Sequence, residues 1–160
     1  MSTQLLRQIW EAQDAAYNLI SEYDSLPHYY GSVVLYQAEA YIVNLVGQHP
    51  GITVTQLAEI LNKTTSACSQ IVRKLRAKGF VEQNRNPGNN RLYNLELTKE
   101  GAEVFQAHIK FNQECQTKTF ALLEGFTDEE LLIHLRVQER LNEAYQDDVK
   151  RSQEQFSKVE

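Results

Sequence analysis

The 160-residue sequence predicts a mainly α-helical protein that carries one small β-hairpin. Apolar residues recur every three or four positions over most of the chain, which is the period of an amphipathic helix. Between residues 80 and 97 the period changes to two, which is typical of strands. Just before that change, a polar turn separates two short helical stretches. The predicted fold class is therefore a helix-turn-helix followed by a hairpin, or wing, with longer helices at both ends of the chain.

A long helix is predicted at the N-terminus, from residue 3 to about 25. Its apolar positions follow helical spacing and include Leu6, Ile9, Trp10, Ala16, Tyr17 and Ile20. Pro27 and Gly31 then bracket a predicted break in the chain. A second helix is predicted from about 35 to 48, because His49-Pro50-Gly51 is a strong stop signal.

The helix-turn-helix is predicted from residue 53 onward. Thr53 and Gln56 have the spacing of a capping box, in which each side chain bonds the other residue's backbone N–H. The short helix behind them ends at the polar run 62–65, and a further helix extends to Gly79. Strands at 80–85 and 91–97 follow, joined by the turn-forming run 86–90, so the hairpin comes directly after the second helix.

The C-terminal part is predicted to be helical again. A helix is expected from Thr98 to about 123, a break at Gly125-Phe126, and a second helix that begins with a capping box at Thr127 and frays from about Ser152. The predicted organisation is an N-terminal dimerisation helix and junction at 1–34, a winged helix-turn-helix lobe at 35–99, and C-terminal dimerisation helices at 100–160. All three are expected to form one interlocked domain.

Charge is distributed very unevenly along the chain. Residues 61–99 hold eight basic residues against two acidic ones, a net +6, whereas residues 1–60 carry −5 and residues 100–160 carry −6, giving −5 in total. A surface that follows DNA phosphates needs such a local concentration of positive charge. Charge alone does not distinguish a DNA-binding surface from an ordinary solvated face.

The helix predicted at 65–78 has two faces of different chemistry. Cys68, Ile71, Val72 and Leu75 form an apolar stripe, while Ser66, Ser69, Gln70 and Arg73 form a polar one, and the helix contains no acidic residue. Hydroxyl, amide and guanidinium groups can bond phosphates or read base edges. The residues predicted to contact the DNA major groove and its phosphates are Thr65, Ser66, Ser69, Gln70, Arg73 and Lys74. The alternative is an ordinary exposed helix face.

The hairpin carries two further candidate DNA contacts. Arg91 follows a turn that would project from the body, where its charge suits a narrow minor groove. Arg85, across the hairpin, is expected to contact phosphate or to brace the turn. The alternative for Arg91 is an ion pair with a nearby helix.

Several segments together resemble the MarR-type regulators: 51–61, 66–75, 78–81, 86–91 and 97–101, with similarity extending to about 35 and 141. The resemblance implies an obligate dimer with interlocked terminal helices, recognition helices in successive major grooves, wings in the minor grooves, and pseudo-palindromic operators. It assigns Ser66, Ser69, Gln70 and Arg73 to the major groove and Arg91 to the minor groove. Asn89 and Asn90 depart from the Asp and Arg that are usual in the family's wing, which predicts a more mobile wing or a weaker salt dependence of binding.

The resemblance implies a response to one of three kinds of effector: an oxidant, a metal ion or a small aromatic compound. Cys68 should be buried and inert, Cys115 lacks an activating base, and the four histidines are scattered, so neither redox nor metal sensing is favoured. Aromatic residues crowd the first two helices, near the family's effector cleft, and suit a flat, neutral or weakly acidic aromatic ligand. The candidate ligand residues are Trp10, Tyr17, His28, Tyr29, Tyr30 and Tyr36. Each of these could instead belong to the dimer core.

Other function classes find little support in the sequence. It contains no phosphate-binding glycine loop, nucleophile elbow or paired catalytic carboxylates, so we expect no enzyme, no cofactor and no metal site. No apolar run approaches the ~20 residues that cross a bilayer, and no signal peptide is evident, so a cytoplasmic protein without a membrane partner is expected. The expected partners are double-stranded DNA and a second copy of the chain. The rival interpretation is a winged-helix module that binds a partner protein, as an antirepressor does.

Overall fold

The computed structural model of the chain describes residues 2–86 and 88–156, apart from the side chains of Asn90 and Arg91. Six helices and four strands follow one another within these residues: α1 (Thr3–Ser25), β1 (Pro27–Tyr30), β2 (Val33–Tyr36), α2 (Gln37–Gln48), α3 (Val54–Leu61), α4 (Thr65–Ala77), β3 (Val81–Asn86), β4 (Asn89–Leu97), α5 (Lys99–Leu123) and α6 (Asp128–Phe156). The chain forms two compact units, Met1–Glu114 and Cys115–Glu160. The predicted mainly helical fold with a hairpin wing is confirmed.

Local side-chain bonds set the boundaries of the helix-turn-helix. The predicted capping box is present: the Gln56 amide donates to Thr53 Oγ1 at 3.3 Å, and the Thr53 amide donates to Gln56 Oε1 at 2.9 Å. Helix α3 ends where Asn62 adopts a left-handed conformation, with φ of 48°. Thr64 then caps α4, since its Oγ1 accepts from the Ala67 amide at 3.2 Å. These caps satisfy backbone groups that a helix end leaves without partners.

A continuous apolar core holds α2, α3 and α4 against the base of the wing and the start of α5. The most deeply buried members, each at most 3% exposed, include Ile42, Val43, Val46, Leu57, Leu75, Leu95 and Val104. Burial of apolar surface is the main favourable term in folding. The lobe therefore closes its core with residues of one chain.

The wing is joined to the helix-turn-helix by backbone hydrogen bonds as well as by packing. Strands β3 and β4 pair antiparallel, from Val81 opposite Leu97 to Arg85 opposite Tyr93. On the other side of β4, the Gly51 amide donates to the Leu95 carbonyl and the Leu95 amide donates to the Ile52 carbonyl, both at 2.9 Å. The segment that enters α3 thus continues the wing's ladder, which fixes the base of the wing to the lobe.

The predicted break around Pro27 and Gly31 is present between the first two helices, but it contains a hairpin that was not predicted. Strands β1 and β2 form a second antiparallel hairpin there, with Tyr30 opposite Val33 and Gly31 at a φ of 65° in the two-residue turn. A two-residue hairpin turn favours a residue that accepts positive φ, which glycine does without steric cost. The second helix accordingly begins at Gln37, two residues later than predicted.

The terminal helices contrast with the lobe in their exposure. Among the described residues of α1 and of α6, none is buried. Helix α6 also continues to Phe156, past the predicted fraying at Ser152. Large apolar side chains lie exposed on each helix, including Leu5, Trp10, Tyr17, Leu19 and Ile20 on α1, and Leu132, Ile133, Leu135 and Val149 on α6. Within the described ranges, no helix is both long enough and apolar enough to span a membrane.

Candidate nucleic-acid interface

Helix α4 has the two faces that the sequence predicts. Cys68 and Leu75 are fully buried and Val72 is 3% exposed, so the apolar stripe packs into the lobe. On the opposite face, Ser66, Gln70 and Arg73 are exposed and Ser69 is partly exposed; Thr65 and Lys74 also lie at the surface. The buried stripe thus fixes which side chains α4 presents outward.

The basic residues of α4 and its C-terminal end fall into two groups. Arg76 donates to Gln83 Oε1 of β3 at 2.9 Å, and Lys78 donates to both carboxylate oxygens of Glu39 at 2.8 and 2.9 Å. In the part of the chain that the structure describes, Arg73 and Lys74 form no salt bridge. Their charges are therefore available to a phosphate or a base edge, beside a helix face without carboxylates.

The structure describes the side chain of one of the two candidate arginines of the wing, Arg85. Arg85 is exposed on β3, opposite Tyr93 on β4. The bend after it is held by Asn86, whose Oδ1 accepts from the Gly88 amide at 2.9 Å and whose Nδ2 donates to Asn94 Oδ1 at 3.0 Å. Arg91 lies on β4, but its side chain falls outside the described residues, as does that of Asn90. The predicted contact of Arg91 with the minor groove stays a prediction.

Three interactions that position α4 and the wing were not predicted. They are the Glu39–Lys78 pair, the Arg76–Gln83 bond, and the bond that Thr98 Oγ1 donates to the Gly79 carbonyl at 2.6 Å. The last of these joins the end of the wing to the turn after α4. No local pattern announces them, because their partners lie 7 to 39 residues apart in the chain.

The candidate ligand residues are distributed over different surroundings. Trp10 and Tyr17 are 63% and 69% exposed on α1, and Tyr29 and Tyr36 are 72% and 54% exposed on the β1–β2 hairpin. Tyr30, by contrast, is 1% exposed and donates its hydroxyl proton to Gln37 Oε1 at 3.0 Å.

His28 and Tyr30 meet around one further ring, which belongs to Phe111 of α5. The His28 and Tyr30 ring centroids lie 6.0 and 5.1 Å from that of Phe111. The Tyr30 ring is also 5.3 Å from His108, which is 2% exposed. These rings brace the hairpin against α5, so Tyr30 forms part of the lobe's packing.

Two further features bear on redox and metal sensing, namely the surroundings of Cys68 and the grouping of possible metal ligands. Cys68 is buried, and burial raises the pKa of its thiol, although the nearby charge of Lys63 acts in the opposite sense. A raised thiol pKa lowers the reactive thiolate fraction, as expected from the sequence. In the described residues, no three His, Cys, Asp or Glu side chains are grouped so that they could hold a metal ion.

The elements described above define a winged helix-turn-helix protein, since α3, α4 and the β3–β4 wing share one core. The MarR family profile matches residues 36–92, which is this lobe. The HTH-type transcriptional regulator YhjH of Bacillus subtilis is 28% identical over 103 residues, or 64% of this chain and 59% of YhjH. The match thus spans about three-fifths of that relative's length.

Two solved structures share the fold over nearly their whole length. FabT of Streptococcus pneumoniae, solved in complex with DNA, covers 89% of this chain and 98% of its own at 23% identity, with a TM-score of 0.70. ZitR of Lactococcus lactis, a zinc-responsive MarR family member, covers 88% and 99% at 20% identity, with a TM-score of 0.76. The chain is therefore similar to the MarR family over its winged helix-turn-helix lobe, and the matched relatives are named as transcriptional regulators.

Proposed function

We propose that this protein is a sequence-specific DNA-binding transcription regulator, a repressor that acts as a homodimer on a pseudo-palindromic operator. The observation that carries the proposal is the outward face of α4, where Ser66, Gln70 and Arg73 are exposed on a helix that contains no acidic residue. In the helix-turn-helix mode of binding, this helix enters the major groove and the wing reaches the adjoining backbone and minor groove. Arg85, exposed on the wing, adds a further positive charge that can bond a phosphate.

Exposed apolar residues on α1 and α6 support the homodimer. Burying a side chain the size of leucine contributes about 1.5–3 kcal/mol, and both helices keep several such side chains outside any core of their own chain. A second copy offers the same apolar helices, and a twofold interface is self-complementary. The dimer would also space two α4 helices for two half-sites of one operator.

A neutral or weakly acidic small aromatic ligand is our proposed releasing signal. The exposed rings of Tyr29 and Tyr36, with Trp10 and Tyr17 on α1, offer apolar surfaces with polar tips. Arg7 is the one Lys or Arg among the first 62 residues, which disfavours a strongly anionic ligand. Such a ligand acts by binding more tightly to the dimer conformation in which the two DNA-binding lobes have a spacing that does not fit the operator.

The test for DNA recognition is fluorescence anisotropy with the full-length protein. Duplexes are selected from a random library and also taken from the region upstream of the protein's own gene, and their scrambled versions serve as references. We expect a Kd of about 10⁻⁸ M or tighter for the selected duplex and binding to scrambled DNA that is weaker by ~10³ or more. Equal and weak binding to both duplexes would contradict the proposal and favour a module that binds a partner protein.

Point variants assign the contacts within that experiment. Gln70→Ala should reduce the difference in binding free energy between selected and scrambled DNA by about 1–3 kcal/mol, since it removes a base-edge contact. Arg91→Ala should weaken binding to both duplexes and reduce the salt slope by about one. Lys110→Ala is the matched control, because it removes an exposed charge from α5, which is not part of the candidate nucleic-acid interface.

The ligand proposal has its own measurement. We would titrate para-cresol, a neutral phenol, and benzoate, an anion of similar size, into the protein–DNA complex. Para-cresol should release DNA at lower concentration than benzoate, and Tyr29→Ala should weaken that response without changing DNA affinity. Equal responses to the two compounds would refute the preference for a neutral ligand, and no response to either would refute the aromatic-ligand proposal. Both results would leave DNA recognition standing.

A further inference from the structure

One carboxylate, that of Glu39, lies at the meeting point of three elements. Glu39 occupies the first turn of α2 and is 6% exposed. It accepts from the Tyr36 amide at 3.1 Å, and both of its oxygens accept from Lys78 Nζ at 2.8 and 2.9 Å. A buried carboxylate that loses its cation is strongly unfavourable, so this arrangement holds Lys78 in place.

Lys78 is the residue at which α4 ends. It is the C-cap of that helix, and its amide donates to the Lys74 and Arg76 carbonyls. Gly79 follows at a φ of 79°, which turns the chain away toward the wing. The pair thus joins the last turn of α4 to the first turn of α2, across 39 residues of sequence.

The other side of Glu39 leads to the β1–β2 hairpin. Tyr36 is the last residue of β2 and the N-cap of α2, and the next residue, Gln37, accepts the Tyr30 hydroxyl proton. The end of the hairpin and the end of α4 therefore bond the same carboxylate.

We propose that Glu39 and Lys78 are positioning residues for DNA recognition: their pair fixes the angle at which α4 presents Ser66, Gln70 and Arg73. This inference rests on the DNA-binding function proposed above. Lys78 acts through Glu39 and not through a phosphate, although 39% of its side chain is exposed. Of the basic residues around α4, Arg73 and Lys74 then meet DNA, Lys78 orients the helix, and Arg76 bonds Gln83 of β3.

The first measurement compares single and double variants by anisotropy on the selected and scrambled duplexes. Glu39→Gln keeps an acceptor for the Tyr36 amide but removes the charge, and Lys78→Met keeps the length of the side chain. Each should weaken binding to the selected duplex by roughly tenfold, leave scrambled DNA and the salt slope unchanged, and the double variant should add nothing further. Lys78→Arg, which can still pair with Glu39, should restore binding.

Two results would overturn the inference. If Lys78 bonds a phosphate, Glu39→Gln frees it and tightens binding to both duplexes, while Lys78→Met reduces the salt slope by about one. If the pair contributes to stability alone, the variants lower the melting temperature but bind the selected duplex as the native protein does at a temperature where both are folded.

Hydrogen exchange in the DNA-free protein separates this inference from the proposed function. In Glu39→Gln, amides in the last turn of α4, from Lys74 to Lys78, should exchange faster than in the native protein. Arg76→Ala, which breaks the bond from α4 to β3 instead, is the matched control for a general loosening of the helix. Unchanged exchange at residues 74–78 refutes the inference even if the native protein selects no DNA sequence.

Discussion

The lobe and the terminal helices differ in whether their apolar side chains are buried within the chain. In the lobe, α2, α3 and α4 bury their apolar faces against the wing and the start of α5 within one chain. Helices α1 and α6 are longer, at 23 and 29 residues, yet none of their described residues is buried. Length alone therefore does not make a helix part of a core, since burial depends on what faces its apolar stripe.

This difference assigns different consequences to the same substitution in the two regions. In the lobe, loss of an apolar side chain removes contacts within the chain and lowers the free energy of unfolding. On α1 or α6, the same loss should weaken the association of two copies, because these apolar side chains are exposed in the single chain. Four predictions follow from this contrast.

The largest effect is expected from Leu75→Ala on the buried face of α4. Leu75 is fully buried, and leucine-to-alanine changes in cores cost about 2–5 kcal/mol. The matched control is Ile60→Ala on α3, because Ile60 is 52% exposed and surface changes usually stay within about 0.5 kcal/mol. Urea denaturation measures the free energy of unfolding of both variants. Similar losses for the two would contradict the burial of Leu75 in the lobe core.

A second prediction concerns the close approach of α5 to the turn after α4. A Cβ added at Gly101 would overlap the Phe80 carbonyl oxygen, whereas one added at Gly125 would meet nothing within 4 Å. Gly101→Ala should therefore destabilise the protein by about 1–3 kcal/mol, although alanine is the better helix former. Gly125→Ala should be neutral or slightly stabilising in the same thermal melts. A stabilised Gly101→Ala would contradict the described packing.

The third prediction concerns the terminal helices directly. Ile20→Ala on α1, where Ile20 is 60% exposed, should leave the lobe's stability unchanged but raise the dimer dissociation constant by about tenfold or more. Glu22→Ala on the same helix is the control for a polar position. Sedimentation over a range of concentrations measures both, and a native protein that stays monomeric throughout would remove the basis of the contrast.

Sequence alone predicted the features of this molecule that depend on residues close together in the sequence. The capping box at Thr53 and Gln56, and the two faces of α4, are encoded within four to ten positions, and both are present. The pair of Glu39 with Lys78 could not be predicted, because it depends on how α2 packs against the end of α4. It sets the orientation of the candidate site without belonging to its surface.

The β1–β2 hairpin was missed although its signal was present. Aromatic and β-branched residues flank Gly31-Ser32, a two-residue turn with glycine at the position that has positive φ. Four-residue strands are too short for their alternation to be distinguished from a break beside a helix. The end of α6 was placed too early for a related reason: polar residues after Ser152 do not by themselves stop a helix.

The smallest effect expected is a pH dependence of stability that belongs to the lobe. Burial lowers the pKa of His108 below its ordinary 6.5, so the folded state favours the neutral ring. The unfolded chain then binds the proton more readily, and stability falls as pH drops below about 6.5 toward the folded-state pKa. His108→Gln should flatten this part of the urea-midpoint profile, whereas His134→Gln, at an exposed position of α6, should not. Identical profiles for native protein and His108→Gln would contradict the assignment.

The backbone bonds of Gly51 and Ile52 with Leu95 anchor the root of the wing, which is the part of β3 and β4 next to the lobe. The tip is the part beyond Arg85 and Tyr93. The root shares its hydrogen-bond ladder with the entrance to α3, so changes there alter the whole lobe. At the tip, beyond Arg85 and Tyr93, Asn86 accepts from the Gly88 backbone N–H and donates to Asn94, which lies on β4 nearer the root. Substitutions at the tip, including Asn89, should therefore change the surface of the wing while leaving the contacts that hold α4 in the lobe intact.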